Sequence, residues 1–300
     1  MIILHVAESI QGGVATILNS LIRIRSIALQ EPSSVQHVVL VPAHQRKSLR
    51  VGDDTNVIVI TFPGTHRLSR IFYLCLTINF LILKFKPDVV HLHSTFAGAL
   101  VRLFALPGVL PHTIYQPHGV AFDPDRVGTG LRNKCYALAE KLLSLRTNQI
   151  SAISQYEHAL LCAIGLRGKT RLVQNGVKDT TCKCWRTRTR SGYLFVGRFD
   201  EQKGLDLLTG VWRDVTKEKL TIVGQGVLTQ SPTPQGSDQN VEYLGWVDSR
   251  KVDELMATSR AIIVPSRWEG FGLIVAEAFR NGTPVICSDR GALPYIVKDG

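Results

Sequence analysis

Short apolar runs alternate with segments of helical length along the whole chain, and this alternation most constrains the fold. Between most of the runs in the first 180 residues lie helix-sized segments, such as 14–29, 69–84, 128–146 and 154–165. The runs themselves, rich in Val, Ile and Leu, are 2–6, 35–41, 56–60, 88–92, 112–116, 149–153 and 170–173. Because strands of this kind are buried on both faces when helices connect them, the pattern predicts an α/β unit with a parallel sheet.

The same pattern restarts after a polar and basic segment at 181–192. The predicted strands there are 193–196, 220–223, 241–244, 261–264 and 284–287, and the predicted helices are 203–216, 248–258 and 271–280. We therefore expect two Rossmann-like, doubly wound domains, 1–180 and 193–300, joined by a linker at 181–192. Ligands of such sheets bind at the carboxyl ends of the strands, so two domains face to face would enclose a central cleft.

The positive charge of the chain is concentrated in its first part. The whole chain has 35 basic and 24 acidic residues, a net charge of +11. Residues 1–180 hold 19 basic and 10 acidic side chains, whereas residues 181–300 hold 16 and 14. A basic half indicates an anionic partner, such as nucleic acid, an anionic membrane surface or a phosphorylated ligand. No aromatic platform or recognised motif accompanies the basic residues, so we expect no nucleic-acid partner.

The amino terminus and the cysteines favour a cytoplasmic protein. Residues 1–6 form a strand-like apolar run without the basic segment that opens a secretory signal. The six cysteines have no C-x-x-C spacing, which favours reduced thiols. The longest apolar stretch, 71–83, has 13 residues and is shorter than the roughly 20 that a membrane-spanning helix needs.

Several kinds of site are excluded because their motifs are missing. The sequence has no P-loop, no H-E-x-x-H and no G-x-S-x-G. Gly224-Gln225-Gly226 follows a predicted strand but lacks the third glycine of a dinucleotide-binding fingerprint. His91 and His93 share one face of a predicted strand, but no third ligand lies nearby in the sequence, so we expect no metal site.

Two segments are suited to binding phosphate. Gly12 and Gly13 lie between the first strand and the first helix, where backbone N–H groups can approach an anion. Arg198 and Lys203 follow the strand at 193–196 and could together neutralise a diphosphate. The alternative is a solvated loop in which these cations pair with the neighbouring acids at positions 200 and 201.

The stretch from Pro265 to Phe279 carries the most information about function. Glu269 lies in a glycine-rich turn, and Gly270 and Gly272 leave backbone donors open at the start of the following helix. Glu277 lies within that otherwise apolar helix and needs polar partners if it is buried, for which sugar or ribose hydroxyls are suited. The alternative is an exposed pair of Glu277 with Arg280, three residues further on.

This stretch resembles the E-x7-E signature of the retaining family 4 glycosyltransferases, which have the GT-B fold. Further motifs of that family follow in the expected order: Gly12-Gly13, Pro87 to His93, Pro117-His118-Gly119, Ser151 to Ser154, Asn175-Gly176-Val177, Val196-Gly197-Arg198 with Lys203-Gly204, and Tyr243 to Val247. Together these matches cover most of the chain.

The resemblance implies a role for each matching residue. Arg198 and Lys203 would bind the diphosphate of the donor, Glu277 the nucleotide ribose, and Glu269 the hydroxyls of the transferred sugar. The turn residues that complete the donor site would be Gly270, Phe271, Gly272 and Leu273. From the other domain, Gly12 and Gly13 would approach the diphosphate or the sugar. His118 would lie beside the reacting carbon, with an ordinary turn histidine as the alternative.

The resemblance also implies the reaction. A hexose would pass from a nucleotide-diphosphate sugar to a saccharide or lipid-linked acceptor, in the assembly of a surface polysaccharide or glycolipid. From the basic balance of the first domain, we expect that it binds the acceptor and lies peripherally on the anionic inner face of the cell membrane, and the alternative is a merely soluble basic surface. The candidate basic residues are Arg46, Lys47, Arg50, Arg67, Arg70, Lys84 and Lys86. No cofactor and no metal are implied, because the two cations and the helix N-termini would stabilise the leaving diphosphate. The alternatives are a non-catalytic or weakly active relative and a GT-B-type nucleotide-sugar epimerase.

Two departures from the family pattern accompany these matches. Tyr295 stands after Pro294, where the family commonly has Glu. The chain ends at Asp299-Gly300, before the final strand and the helices with which relatives continue. We therefore expect a second domain that is incomplete relative to the family, and a chain that self-associates and turns over weakly when it is expressed alone.

Overall fold

The computed structural model describes residues 1–10, 12–28, 35–51, 55–64, 66–179, 189–215, 217–226 and 240–298. The chain divides into two compact units, Met1–Asn175 and Gly176–Gly300, each with its own parallel sheet. Most of the predicted linker at 181–192 lies outside the described residues, and so do Cys182, Cys184 and the terminal pair Asp299-Gly300. None of the described helices combines the length and the apolar character that crossing a bilayer requires.

The first unit contains a sheet of seven strands. These are β1 (Ile2–Ala7), β2 (Gln36–Pro42), β3 (Val57–Phe62), β4 (Val89–His93), β5 (His112–Gln116), β6 (Gln149–Ala152) and β7 (Thr170–Leu172). The helices are α1 (Gly13–Ala28), α2 (Arg67–Phe85), α3 (Thr95–Phe104), α4 (Pro124–Val127), α5 (Leu131–Leu143) and α6 (Gln155–Ala163). The strand order is β3-β2-β1-β4-β5-β6-β7, with all neighbours parallel.

Alternate residues of the central strands face two different cores. Leu4 and Val6 of β1 belong to a core that includes residues of α2 and α3, whereas Ala7 belongs to a core with residues of α1. Since successive side chains of a strand point to opposite faces, His5 lies on the same face as Ala7. His5 is only 2% exposed, so this face buries a polar ring as well as apolar side chains.

The second unit contains a sheet of five strands. These are β8 (Tyr193–Val196), β9 (Leu220–Val223), β10 (Val241–Gly245), β11 (Ala261–Val264) and β12 (Val285–Cys287). The helices are α7 (Leu205–Val215), α8 (Ser249–Thr258), α9 (Leu273–Arg280) and α10 (Leu293–Ile296). The strand order is β10-β9-β8-β11-β12, again with all neighbours parallel.

Each sheet has one point at which the strand order reverses. The chain runs outward from β1 through β2 to β3 and then returns to place β4 on the other side of β1. It repeats this with β8, β9, β10 and β11 in the second unit. Such a switch opens a crevice at the carboxyl edge of the sheet, because the loops on its two sides diverge. The loops after β1 and β4, and those after β8 and β11, therefore border the two crevices.

Helix boundaries differ from the sequence predictions at glycines. The helix predicted at 203–216 begins only at Leu205, because Gly204 adopts a left-handed φ of 64° after a 3-10 turn at Glu201–Lys203. The helix predicted at 271–280 begins at Leu273, because Gly272 has a φ of 85°. A residue with a left-handed φ cannot lie inside an α-helix, so each glycine sets the boundary.

The predicted helix at 128–146 and an unpredicted helix mark further differences. Helix α5 begins after Gly130 and ends in a 3-10 turn at Ser144–Arg146, so the segment is not one continuous α-helix. Helix α3 was not among the predicted helices. It follows β4 directly and contains Gly98, which has a low intrinsic helix propensity.

Gly98 of α3 makes room for a buried aromatic ring. A Cβ atom at this position would lie 2.3 Å from Cε2 and 2.6 Å from Cδ2 of Tyr115. The Arg102 guanidinium also packs on this ring, with its Cζ 3.9 Å from the ring centroid. Arg102 is fully buried and donates from Nη1 to Glu140 Oε1 at 2.7 Å. The ring is therefore fixed between a glycine and a buried ion pair.

We expect Gly98→Ala to destabilise the first unit by about 1–3 kcal/mol, because Tyr115 has no free space into which to move. The measurement is the free energy of unfolding from urea denaturation. The matched control is Gly168→Ala, at which a Cβ atom meets nothing within 4 Å. Equal stability of the two variants would contradict the packing argument.

Candidate functional site

In the second unit, two loops border the crevice at the carboxyl edge of the sheet. The loop 197–204 follows β8 and the loop 265–272 follows β11, its neighbour in the sheet. The Arg267 N–H donates to the Gln202 carbonyl at 2.8 Å, and Gln202 Nε2 donates to the Trp268 carbonyl at 3.2 Å. Arg267 also binds both carboxylate oxygens of Asp206, at 2.8 and 2.6 Å. These bonds hold the two loops to each other.

Two glycines, Gly204 in the loop after β8 and Gly224 directly after β9, allow close backbone contacts at this edge of the sheet. A Cβ atom on Gly204 would lie 2.1 Å from the Pro265 carbonyl oxygen, and one on Gly224 would lie 1.8 Å from that of Gly197. Both glycines have a positive φ, 64° and 144°. No other residue fits either position without moving the backbone, so the shape of the crevice depends on them.

Lys203 and Glu269 form an ion pair at the centre of this region. Lys203 Nζ donates to Glu269 Oε2 at 2.7 Å, and Ser266 Oγ donates to the same oxygen at 3.2 Å. The side chains are only 19% and 11% exposed. The structure thus brings together two residues that the sequence analysis assigned to the diphosphate and to the sugar, and each balances the charge of the other.

Arg198 lies on the same loop with its charge partly balanced. Its Nε donates to Asp200 Oδ2 at 2.7 Å and its Nη2 donates to Gln202 Oε1 at 2.9 Å. The pairing with Asp200 that was the alternative to a ligand role is therefore present. The side chain is still 39% exposed, and its Nη1 has no hydrogen bond with a described residue. One edge of the guanidinium can take a further acceptor.

The Glu277 carboxylate has no hydrogen bond or ion pair with any residue that the structure describes, although the backbone carbonyl of Glu277 accepts from Asn281 Nδ2 at 2.9 Å. It lies half-buried on α9, and burial raises the pKa of its carboxyl above the usual range. Arg280, its alternative partner from the sequence, instead binds Asp253 and donates to the Lys178 carbonyl at 3.0 Å. A half-buried carboxylate without a bonded partner has an open capacity to accept hydrogen bonds.

The turn before α9 is supported by a residue that the sequence analysis did not single out. A Cβ atom on Gly291, which follows β12, would lie 2.3 Å from the Glu269 carbonyl oxygen. The next N–H, that of Ala292, donates to this oxygen at 2.8 Å. Phe271 is buried, and Gly272 is the N-cap of α9. The turn is therefore fixed in place, and so are the first N–H groups of the helix that follows it. Gly270 and Leu273 are the remaining predicted residues of this turn.

In the first unit, Gly12 lies between β1 and α1, as predicted, and Gly13 is the first residue of α1. Both are exposed, Gly12 has a φ of 59°, and its carbonyl accepts the Thr16 N–H at 3.2 Å as the helix begins. The Ile10 N–H in the same loop donates to Gln45 Oε1 at 2.7 Å. Gln45, which follows β2, is a supporting residue that no sequence motif indicated.

His118 lies after β5 in a turn that a buried carboxylate holds. It is partly buried and has a φ of 55°, which is uncommon for a residue other than glycine. Glu157 of α6 accepts the Gly119 N–H on Oε1 and the Ile153 N–H on Oε2, both at 2.8 Å. Burial raises the pKa of Glu157 to about 7. Sequence reasoning missed Glu157, because its position three residues after Ser154 indicates only a helix cap.

Four imidazoles form a hydrogen-bonded chain that ends at His118. His37 Nδ1 lies 2.9 Å from His5 Nε2, His5 Nδ1 lies 3.2 Å from His93 Nε2, and His93 Nδ1 lies 3.3 Å from His118 Nε2. Burial lowers the pKa of His5 and His93 well below the usual value, and that of His118 to about 3. His5, His93 and His118 are therefore neutral at neutral pH.

A fifth histidine, His91, lies beside this chain. The register of β1 and β4 makes His5 the direct partner of His91, and the His91 and His93 ring centroids are 4.1 Å apart. The third imidazole that the sequence did not offer next to His91 and His93 thus comes from a neighbouring strand. The predicted strands contain the signal, because His5, His91 and His93 share one face once β1 and β4 are paired.

Known protein families match both parts of the chain. The family model "Glycosyltransferase Family 4" matches residues 12–180, and "Glycosyl transferases group 1" matches residues 190–300. A protein of Klebsiella pneumoniae named "uncharacterized 41.2 kDa protein in cps region" is 33% identical over 100% of this chain and 84% of its own length.

Two solved structures are similar in fold. Sucrose-phosphate synthase from Thermosynechococcus elongatus has a TM-score of 0.74 at 16% identity, over 98% of this chain and 82% of that one. Anabaena HepE, solved in complex with UDP and glucose, has a TM-score of 0.72 at 17% identity, over 100% of this chain and 84% of that one. The prediction of the GT-B fold class is confirmed.

Glu157 supplies a pH-dependent prediction. With an ordinary pKa of 4.5 when unfolded and about 7 when folded, the folded chain holds a proton here that the unfolded chain has released. Stability from this group therefore falls as the pH rises from 4.5 to 7. Gln cannot ionise, so we expect Glu157→Gln to gain stability relative to the original chain over this range, by at most about 1.4 kcal/mol per pH unit.

The measurement is the free energy of unfolding of both chains in urea at several pH values between 5 and 7.5. Gln also replaces one carboxylate oxygen by an amide donor, which lowers stability equally at every pH. Only the change of the difference with pH is therefore diagnostic. Glu254→Gln, at an exposed position of α8, is the control. Parallel curves for Glu157→Gln and the original chain would contradict the raised pKa.

Proposed function

Because this chain belongs to glycosyltransferase family 4, we propose that it transfers a hexose from a nucleotide-diphosphate sugar to a saccharide or lipid-linked acceptor. The anomeric configuration is retained, and the product is part of a surface polysaccharide or glycolipid. The observation that carries the proposal is the placement of Arg198, Lys203, Glu269 and Glu277 around the two loops at the switch point of the second sheet. This is where doubly wound sheets bind their ligands.

In this proposal Arg198 and Lys203 bind the diphosphate of the donor. The free Nη1 edge of Arg198 supports this role, as does the bond of Lys203 to Glu269, whose Cγ would lie 3.4 Å from a Cβ atom on Gly272, the N-cap of α9. Fixed cations and the first N–H groups of a helix stabilise the negative charge that develops on a leaving diphosphate. The turn from Gly270 to Leu273 completes this part of the site.

The two carboxylates take the hydroxyl groups of the donor. Glu277, whose carboxylate has no bonded partner among the described residues, accepts from the ribose. Glu269 accepts from the transferred sugar when Lys203 turns toward the diphosphate, so donor binding exchanges one ion pair for two ligand contacts. In the first unit, His118 contacts the transferred sugar, and Gly12 and Gly13 contact the diphosphate or the sugar. His118 acts there as a neutral ring, since its pKa of about 3 excludes the imidazolium at neutral pH.

Retention follows from attack on the face that the leaving group occupies. The bond between the anomeric carbon and the diphosphate oxygen breaks, and the acceptor oxygen bonds to the same face of that carbon. The acceptor proton passes to the departing phosphate oxygen. The side chains of the protein then have to position the donor and the acceptor and to stabilise the leaving diphosphate, and none of them has to form a covalent intermediate.

The comparisons support the class of the substrates. A protein of the same fold has been solved with UDP and glucose bound, which is the chemistry of a nucleotide-sugar donor. Both family models are those of glycosyltransferases, which favours transfer over the epimerase alternative. Conversion of a nucleotide sugar in the absence of any acceptor would instead support the epimerase.

The first unit, in this proposal, binds an anionic membrane surface. Helix α3 packs between α2 and α5, and the outer faces of these three helices expose large apolar side chains. These are Phe72, Tyr73, Leu76, Phe80, Leu83, Phe96, Leu103, Phe104, Leu131, Tyr136, Leu138 and Leu142. Exposed apolar side chains interspersed with basic ones are typical of surfaces that bind anionic lipid.

The basic residues near these helices differ in what they can contribute. Lys84 is exposed and lies 5.6 Å from the ring of Phe80, and α5 adds the exposed Arg132, Lys134 and Lys141. Lys86, the C-cap of α2, is another candidate. Arg46, Lys47 and Arg50, which the basic balance of the sequence also suggests, lie beside α1 on the other face of the sheet and are not part of this surface. Arg70 is a weaker one, because it pairs with Glu8 at 3.4 Å and is mostly buried, and the Arg67 side chain lies outside the described part.

We expect donor binding to be detected by a screen of UDP-, GDP- and ADP-sugars for thermal stabilisation, since a ligand of the folded state raises the melting temperature. Once the donor is identified, we expect Arg198→Ala and Glu277→Ala each to raise the free energy of the transition state by about 2–4 kcal/mol. The rate of transfer should therefore fall roughly 30- to 1,000-fold. The exposed Arg260→Ala and Glu254→Ala are matched controls. Near-normal turnover of a variant that binds the donor would remove that residue from the site.

We expect transfer to proceed without a divalent cation at the diphosphate, because Arg198 and Lys203 supply positive charge there. Turnover of the purified chain should be the same in EDTA and in Mg²⁺ or Mn²⁺. Loss of turnover in EDTA that Mg²⁺ restores would contradict this.

We expect the first unit to bind anionic vesicles and not neutral ones, with each basic residue near the leaflet adding about 1 kcal/mol. The measurement is co-sedimentation at low and high salt. Leu76→Ser with Phe80→Ser should weaken binding, whereas Leu207→Ser with Val211→Ser, exposed on α7, should not. Equal binding to neutral vesicles would count against the membrane surface.

A further inference from the structure

Three histidines of the first unit present ring nitrogens to one point. His5 of β1 and His91 and His93 of β4 each place one nitrogen within 4.8 Å of the nitrogens of the other two. His5 and His93 are buried, and His91 is half-buried. No carboxylate belongs to this set. We propose that the three imidazoles bind one divalent transition-metal ion of the zinc class.

The spacing of two of these nitrogens already suits a shared ion. His5 Nδ1 and His93 Nε2 are 3.2 Å apart. Two nitrogens about 2.0–2.1 Å from a tetrahedral Zn²⁺ are about 3.3–3.4 Å apart. Without an ion the two rings share one proton in a hydrogen bond. With an ion both nitrogens use their lone pairs on the metal, and each ring carries its proton on the opposite nitrogen.

Those opposite nitrogens each face an acceptor. His5 Nε2 lies 2.9 Å from His37 Nδ1, and His93 Nδ1 lies 3.3 Å from His118 Nε2. Histidines that bind a metal donate their other N–H to a neighbouring acceptor, which fixes the orientation of the ring and strengthens the ligand. Here the two acceptors are imidazoles, so both the ligands and their supports are in place.

His91 is the ligand that gains most from an ion. Its Nε2 is buried without a hydrogen-bond partner among the described residues, and so is the nearby Gln116 Oε1. A buried polar atom without a partner reduces stability, so an ion bound by His91 Nε2 would remove a cost that the chain has without it.

The donor set also selects the metal. Neutral imidazoles suit Zn²⁺, Co²⁺, Ni²⁺ or Cu²⁺, whereas Mg²⁺ and Ca²⁺ need oxygen ligands. The site is therefore different from a cation at a diphosphate, and it does not depend on the proposed transfer reaction. One consequence is a fixed tautomer at the end of the chain of rings. When His93 donates from Nδ1, His118 accepts on Nε2 and carries its own proton on Nδ1.

The test uses the purified full chain, stripped of metal with a chelator that is then removed. Equilibrium dialysis against Zn²⁺ or Co²⁺, followed by metal analysis, should find one bound ion for each chain. Bound Co²⁺ should give the visible absorption that is typical of a low coordination number. Zn²⁺ should raise the melting temperature of the protein. Mg²⁺ should do neither. Absence of a bound Zn²⁺ or Co²⁺ ion would overturn the proposal.

Variants distinguish this site from other histidines on the surface. His91→Gln should reduce Zn²⁺ affinity by at least about 100-fold, since it removes a ligand, and it should fold because His91 Nε2 has no hydrogen-bond partner among the described residues. His112→Gln, exposed on β5 of the same sheet, is the matched control and should bind as before. Unchanged binding in His91→Gln would overturn the proposal.

A second variant covers a failure of His91→Gln to fold. His118→Gln removes the acceptor of the His93 N–H and leaves the three ligands, so it should weaken Zn²⁺ binding by about 10–100-fold. In the original chain, the nitrogen chemical shifts of His118 should show that its proton is on Nδ1 when Zn²⁺ is bound. Chemical shifts that do not change when Zn²⁺ is added, together with unchanged Zn²⁺ affinity in His118→Gln, would contradict the arrangement.

Discussion

The reversal of strand order in each parallel sheet is the constraint on which the rest of the structure depends. In the second unit it places β8 beside β11, so the loops after these strands meet at one edge even though they are far apart in sequence. In the first unit it places β1 beside β4 in the same way. A sheet with its strands in sequential order would separate these loops, and neither the pair of Lys203 with Glu269 nor that of His5 with His93 would form.

Within the second unit, the charges of the candidate site balance each other. Lys203 pairs with Glu269 and Arg198 with Asp200, so neither cation is an isolated charge. Replacing water around a partly buried pair has a cost that its attraction roughly offsets, so such a pair adds little stability. What it provides is orientation. An anionic ligand that competes for these cations meets groups that are already positioned and partly dehydrated.

The sequence predicts the elements and the loops well, because both depend on local patterns. The apolar runs locate β1 to β12, and the glycines near Arg198 and Glu269 indicate turns at strand ends. What it does not predict is which distant residues meet. His5 and His91 become partners only through the register of β1 with β4, and Glu157 reaches Gly119 only through the packing of α6. Each of these contacts depends on strand order, which hydrophobic periodicity does not encode.

The close backbone contacts at Gly204 and Gly224 change how substitutions in this chain should be interpreted. A methyl group at either position would overlap a carbonyl oxygen of a loop that borders the crevice. In a mutational scan scored by activity, these two positions would rank with residues that bind substrate, although they offer no side chain to any ligand. A designer who wishes to change the donor specificity would therefore leave both glycines untouched and vary the side chains that the loops display.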